Sequence, residues 1–323
     1  MALNWQPSAT IANLKARAQF LADVRRFFYD KDVMEVETPI LSHGTVTDVH
    51  LDAFQTEFHH ASTGHKQTLY MQTSPEYAMK RLLAAGSGAI YQIGKAFRHE
   101  PTGRFHNPEF TMLEWYRPNF NDQQLMDEID ELVVRLLRTK SAIRVTYQQA
   151  FLEHTSIDPL EATREKLLAF IKRNHDDEWL LHEPLDTLLQ WIFATYVEPN
   201  LGDEKTPCFI YDFPATQASL ARINQNDNRV AHRFELYFKG VELANGFYEL
   251  QDAAEQKRRF DNDNELRAKN GLEVKPIDRH FLAALEHGLP DCSGVALGVD
   301  RLFMLQQNLT SIDQAISFSN NRA

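Results

Sequence analysis

The chain has 323 residues, 43% of them hydrophobic and 24% charged, and carries a formal net charge of −11. That is the make-up of a folded globular protein, and no apolar run approaches the roughly 20 residues that a membrane-spanning helix needs. The acidic balance excludes a broad, nonspecific grip on a nucleic-acid backbone, which takes clustered lysine and arginine. It leaves room for a local site where arginines and a divalent cation hold an anionic nucleotide.

The N-terminal "MALNWQPSAT" lacks the basic start and apolar stretch of a signal peptide. Two cysteines, Cys208 and Cys292, are too few for a disulfide framework and lack zinc-ligand spacing. They read as buried thiols in a reducing cytoplasm. Residues 11–30 place Leu14, Ala18, Leu21, Val24, Phe27 and Phe28 at helical spacing. "VMEVETPIL" then begins as a short strand that Pro39 stops. "TLYMQTSPEYAMKRLLAAG" reads as a strand followed by a helix, with Ser74 at the N-cap, Pro75 at the first helical position and Gly86 as the stop.

"AIYQIGKAFRHE" and "PEFTMLEWY" are β-rich runs joined through Pro101 and Gly103, which predicts an antiparallel hairpin. An amphipathic helix is expected over 122–138, and 161–198 is expected to be mostly helical. Strands return at "CFIYDFPA" and "RFELYFKGVELAN". Helices over about 252–268 and 277–287 precede "GVALGVDRLFML", a glycine-bearing strand running into a helix. Strands in runs with helices grouped between them predict an α+β fold with an antiparallel sheet. No repeat or composition break marks a second domain, so the expectation is one domain over 1–323 with a mainly helical insertion near 120–205.

Three constellations carry chemistry. In the hairpin, Arg98 and Glu100 project to one face, as do Phe110, Met112, Glu114 and Tyr116 on the return strand. Charges beside aromatic rings are costly to bury unless they meet a ligand or each other. Arg98 suits a phosphate, Phe110 a base and Glu114 an amine; each residue taken alone fits a solvated sheet face. In the second, Glu235, Glu242 and Glu249 lie seven apart with Asn245 between them, as acidic residues that hold Mg²⁺ near a triphosphate or simply line exposed strands. In the third, Gly294 and Gly298 permit close backbone approach, and Arg301 at the next helix start could meet an anion. A tight strand-to-helix junction capped by Asp300 is the plainer reading of that run.

Taken together and in order, these segments resemble the class II aminoacyl-tRNA synthetases. "FRHE…FHNPEFTMLEWY" resembles motif 2 of the lysyl-tRNA synthetases, "VMEVETPIL" motif 1 with its proline at Pro39, and "GVALGVDRLFML" motif 3 with its arginine at Arg301. "TSPEYAMKRLL" and "ELANGFYEL" are also similar to lysyl-enzyme segments. The resemblance spans nearly the whole chain. It departs from the lysyl enzymes in two ways. Motif 1 begins already at Val33, so that no anticodon-binding OB domain is expected, and motif 3 has Gly294-Val-Ala296-Leu-Gly298 where Gly-x-Gly-x-Gly is usual. Both departures match the free-standing paralogues that lysylate elongation factor P.

What the resemblance implies is a cytoplasmic, homodimeric ligase. It would activate (R)-β-lysine, or lysine less well, as an aminoacyl-adenylate, using ATP and Mg²⁺. The acyl group would pass to a lysine amine of elongation factor P, with neither tRNA nor membrane involved. Arg98 and Arg301 match the catalytic arginines; the first bridges the α-phosphate and the substrate carboxylate, the second covers the purine and γ-phosphate. His99, Glu100, His106, Asn107 and Phe110 match the nucleotide contacts of motif 2, joined by Glu242, Leu243 and Gly298. Glu235 and Glu242 match the Mg²⁺ carboxylates. For the amino acid, Glu249 and Tyr116 match the pair at the side-chain ammonium, and Ser74, Pro75 and Glu76 lie near the other amino group. Glu114, Asn245 and Ala296 complete the pocket. The rival readings are a truncated lysyl-tRNA synthetase, a catalytically silent regulatory paralogue, which would typically lose Arg98 or Arg301, and a free amino-acid ligase of the asparagine-synthetase type.

Overall fold

Thr10 opens the first helix by accepting the Asn13 N–H at 3.1 Å, one of the donors that a helix start leaves unpaired. The computed structural model describes residues 5–175 and 178–323. Residues 1–4 of the N-terminal stretch and 176–177 of the expected helical stretch lie outside the described residues. The chain divides into two compact units, Met1–Phe120 with Leu250–Ala323, and Asn121–Glu249.

In the first unit, α1 (Ile11–Asp30) buries Phe20, Val24, Phe27 and Phe28 along one stripe, as its apolar spacing predicts. The short strands β1 (Met34–Glu35) and β2 (Leu41–Ser42) follow on either side of Pro39. β3 (Gln55–His59) and β4 (Lys66–Met71) join β2 in a small sheet ordered β2-β4-β3. Next come α2 (Glu76–Ala84) and the expected hairpin, β5 (Ile90–Phe97) and β6 (Glu109–Pro118). The start of α2 differs from expectation: Pro75 takes the N-cap position, without a side-chain cap bond, and the helix begins at Glu76. Ser74 Oγ accepts the Glu76 N–H at 3.1 Å but gives its own proton to Glu114 at 2.7 Å, so the serine serves a buried carboxylate as well as the turn. Gly86 follows the helix end with φ +87°, the left-handed position that glycine fills without strain.

In the second unit, Asn121 and Gln124 form a reciprocal capping box on α3 (Asp122–Leu137). β7 (Ile143–Thr146), α4 (Tyr147–Thr155), α5 (Arg164–Asn174) and α6 (Leu185–Ile192) come next, and Phe193–Val197 extends the last as a π-helix. These helices share a core of Tyr147, Phe151, Leu167, Leu188, Ile192 and Phe193. β8 (Cys208–Pro214), β9 (Val230–Phe238) and β10 (Val241–Tyr248) complete the unit, in the order β10-β9-β8-β7. The helical stretch expected near 120–205 is thus the first part of a unit that runs on through strands to Glu249.

The chain returns to the first unit with α7 (Ala253–Lys269), α8 (Arg279–Gly288), β11 (Cys292–Gly298) and α9 (Val299–Gln307). The large-sheet strands of this unit run β1-β5-β6-β11, antiparallel except for the β1–β5 pair. One face packs on α1 and α9: Phe28 stacks on Tyr91 at 4.4 Å and meets Trp115 edge-on at 5.3 Å, and Phe20 meets Phe303 at 5.5 Å. The α+β architecture with an antiparallel-rich sheet flanked by helices is the one expected from the sequence. Among the described residues no helix is long and apolar enough to cross a membrane.

Candidate active site

Directly opposed residues of an antiparallel ladder share a face, and the register of β6 with its neighbours therefore sorts the hairpin's chemistry. Ala96 opposes Phe110, Gly94 opposes Met112, Gln92 opposes Glu114 and Ile90 opposes Tyr116. On the other side Gly298 opposes Met112, Ala296 opposes Glu114 and Gly294 opposes Tyr116. Leu113 and Trp115 project to the opposite face and are fully buried. The site face is thus a row of aromatic and acidic side chains flanked by the small residues of β11. A Cβ built at Gly298 would come no closer than 3.6 Å to Arg301 Cδ.

At one end of the face sits Glu114, 2% exposed. Ser74 Oγ donates to its Oε2 and Tyr116 OH to its Oε1, both at 2.7 Å. Burial, reinforced by the charge of Glu76, pushes its carboxyl up to about 7, while the Ser74 and Tyr116 bonds and Lys80 pull the other way. The folded protein therefore holds this proton more tightly than the unfolded chain does. Its contribution to stability is present below the ordinary value of 4.5 and is lost as the pH rises through about 7. We expect the unfolding free energy of the ligand-free wild type, relative to Glu114→Gln, to fall between pH 5 and pH 8 in urea titrations. A difference that stays flat across that range would refute the assignment.

At the other end lies the motif 2 loop. The Arg98 backbone N–H donates to Pro108 O at 2.9 Å, and its guanidinium stands over the Phe110 ring at 5.2 Å. Arg98 Nε is buried and has no hydrogen-bond partner, a cost that an arriving anion would relieve. The His99 N–H donates to Asp52 O and the Glu100 N–H to Arg98 O, both at 2.9 Å. Arg301 Nη2 lies 2.9 Å from His106 Nε2; arginine can only donate, so this ring nitrogen accepts and the imidazole is neutral. Partial burial and then the Arg301 charge hold His106 below the usual histidine range. Asn107 Nδ2 donates to Glu109 O at 2.6 Å, and its Oδ1 accepts the Asn320 N–H at 3.0 Å. The structure thus gathers Ser74, Pro75, Glu76, Glu114, Tyr116 and Ala296 towards one end, and Arg98 to Asn107, Phe110, Gly298 and Arg301 towards the other.

The remaining expected residues belong to the second unit. Glu235 opposes Asn245, and Tyr237 opposes Glu242, with a bulge between Glu242 and Ala244. Residues three apart in an unbroken strand face opposite ways; the bulge at buried Leu243 puts Glu242 and Asn245 on one face. Glu235 is 6% exposed. Its carboxylate accepts from Arg233 Nη2 at 2.5 Å, from Asn245 Nδ2 at 3.2 Å and from the Tyr237 hydroxyl. Asn245 Oδ1 is buried without a hydrogen-bond partner. Glu249 is 1% exposed, and its backbone carbonyl accepts from Arg222 Nη2 at 3.3 Å.

Two supports escaped the sequence reading. Asp300, which sequence alone suggests as a cap, instead accepts the Thr111 N–H at 2.7 Å and pairs with Arg17 of α1 at 2.5 Å. It pins β6 between Phe110 and Met112. Gln92 Oε1 accepts the Thr38 N–H at 2.8 Å, tying the segment before Pro39 to the sheet. The first depends on residues nearly the whole chain apart, and no local pattern signals it. The second is a polar residue between the apolar Tyr91 and Ile93 of β5, which was a visible signal.

Comparison with known proteins identifies the family. The family model for class II tRNA synthetases (D, K and N) matches residues 2–322. Relatives named elongation factor P–(R)-β-lysine ligase include one from Edwardsiella ictaluri, 54% identical over 99% of this chain and 98% of the relative. Two others, from Photorhabdus laumondii and Yersinia enterocolitica, are each 56% identical over 99% of this chain and 98% of their own length. The chain belongs to the class II tRNA synthetase family.

Proposed function

We propose that this protein is an ATP-dependent ligase that activates (R)-β-lysine as its adenylate and transfers it to a lysine amine of elongation factor P. The observation that carries the reading is the buried acidic end of the sheet face, where Glu114 is held by Ser74 and Tyr116 beside Glu76. Burial and the charge of Glu76 already push Glu114 towards holding a proton; an arriving ammonium would favour its charged form instead, and a diamino acid supplies ammonium groups. Full-length likeness to ligases of that name supports the choice of amino acid and acceptor.

In the first half-reaction a carboxylate oxygen of the amino acid attacks the α-phosphorus of ATP and pyrophosphate leaves. Arg98 meets the charge that develops there, with Nε as a donor already desolvated. Phe110 stacks under adenine, Glu100 accepts from its amino group, and Arg301 with His106 receives the terminal phosphate. In the second, the acceptor amine attacks the acyl carbon, the bond to AMP breaks, and the amine gives up a proton.

The resemblance to the lysyl enzymes assigns Glu249 and Asn245 to the amino acid, and Glu242 and the backbone at Leu243 to the nucleotide. For Mg²⁺ the donor set divides. Glu235 is engaged by Arg233, Tyr237 and Asn245, and serves to orient Asn245. Glu242, half-buried on the same face, would hold the cation together with substrate phosphates, the usual Mg²⁺ arrangement. The cation supplies charge neutralisation on the phosphates.

The test of this reading is pyrophosphate exchange into ATP. Exchange should depend on (R)-β-lysine or, more weakly, on lysine; exchange with neither would overturn it. The enzyme works in the cytoplasm as a homodimer in this reading. Exposed Ile11, Tyr29, Met34, Ile40 and Leu41, 41–75% accessible, supply apolar surface in and around motif 1 for a second copy. Sedimentation should give a dimer at micromolar concentration, and a monomer there would contradict that part of the proposal.

A further inference from the structure

Lys80 is used by none of these steps, yet it is 1% exposed. Burying an ammonium is costly unless it is paired. Its Nζ lies 2.5 Å from Glu76 Oε1, one helical turn earlier on α2, and stands 5.7 Å from the Phe281 ring of α8. Tyr77 stacks on that same ring at 4.7 Å with 4° between the planes, so the floor beneath the lysine is a rigid aromatic layer. Glu76, by contrast, keeps 17% of its side chain accessible. Its backbone N–H leads on through Ser74 Oγ to Glu114. A lysine rooted in the core thus holds a carboxylate at the edge of the acidic end.

We propose that Lys80 is a positioning residue of the amino-acid pocket, acting through Glu76. By pairing with Oε1 it locks the carboxylate in one orientation and leaves the other oxygen for a substrate ammonium. The expected role is in amino-acid recognition and not in the handling of ATP. This inference rests on the reading of the acidic end as the amino-acid site.

The test is pyrophosphate exchange by wild type, Lys80→Met, Glu76→Gln and the double variant. Loss of one charge-assisted hydrogen bond corresponds to about 10- to 100-fold. Lys80→Met should therefore raise the KM for (R)-β-lysine by about that factor while leaving the ATP KM within about twofold. In the Glu76→Gln background, removing Lys80 should add less than about threefold, because residues acting as one unit are not additive. An unchanged amino-acid KM in Lys80→Met, or full additivity in the double variant, would overturn the inference. Should Lys80→Met not fold, Lys80→Gln takes its place, with the same expected rise in the KM for (R)-β-lysine and the same limit on the ATP KM. Wild-type exchange that ignores both lysine isomers would instead sink the underlying reading.

Discussion

Arg98→Ala should lower adenylate formation by about 10²–10³-fold while the protein stays folded, the usual cost of removing one donor aimed at developing charge. The guanidinium makes no ion pair among the described residues; its recorded side-chain neighbour is the Phe110 ring at 5.2 Å. Truncation therefore removes little that holds the fold, and it removes a buried Nε that has no partner to lose. The strand end itself is secured by the backbone bond to Pro108, which alanine keeps. Pyrophosphate exchange near the wild-type level would show that another group meets the α-phosphate. A large fall in melting temperature would show instead that Arg98 is structural.

Ala296→Gly should shift amino-acid choice towards α-lysine. Ala296 opposes Glu114 across the β6–β11 ladder, so its methyl stands on the face that carries the acidic end, half-buried between Gly294 and Gly298. The lysyl enzymes that this chain resembles usually have glycine here. In β-lysine the amino group sits one carbon further from the carboxylate, and a methyl in that space favours one placement over the other. Discrimination by a single carbon is worth about 1–3 kcal/mol, or roughly 10- to 200-fold. The measurement is the ratio of kcat/KM for (R)-β-lysine and α-lysine in the two proteins. An unchanged ratio would leave Ala296 as a packing residue.

The parts of this molecule legible in its sequence are those governed by short-range rules. The apolar stripe of α1, the hairpin of β5 and β6 and the glycine-bearing β11 each follow from period and turn chemistry, and the motif order points to the family. Alternation along β6 already put Phe110, Glu114 and Tyr116 on one face. Other features depend on contacts across the chain. The seven-residue spacing of Glu235, Glu242 and Glu249 concealed the bulge at Leu243 that aligns Glu242 with Asn245. Nor did it show that Glu235 is engaged by Arg233 and Tyr237. The Glu76–Lys80 spacing resembles any solvent-exposed helical ion pair; only packing against Phe281 reveals that the lysine is buried. Ser74 reads as a cap until Glu114 is found within reach of its hydroxyl.

The most direct test of the central claim is to incubate the protein with ATP, (R)-β-lysine and elongation factor P, and then weigh the elongation factor by mass spectrometry. The account predicts a gain of one lysyl residue, located by fragmentation on a single lysine and dependent on ATP. Elongation factor P of unchanged mass would contradict it.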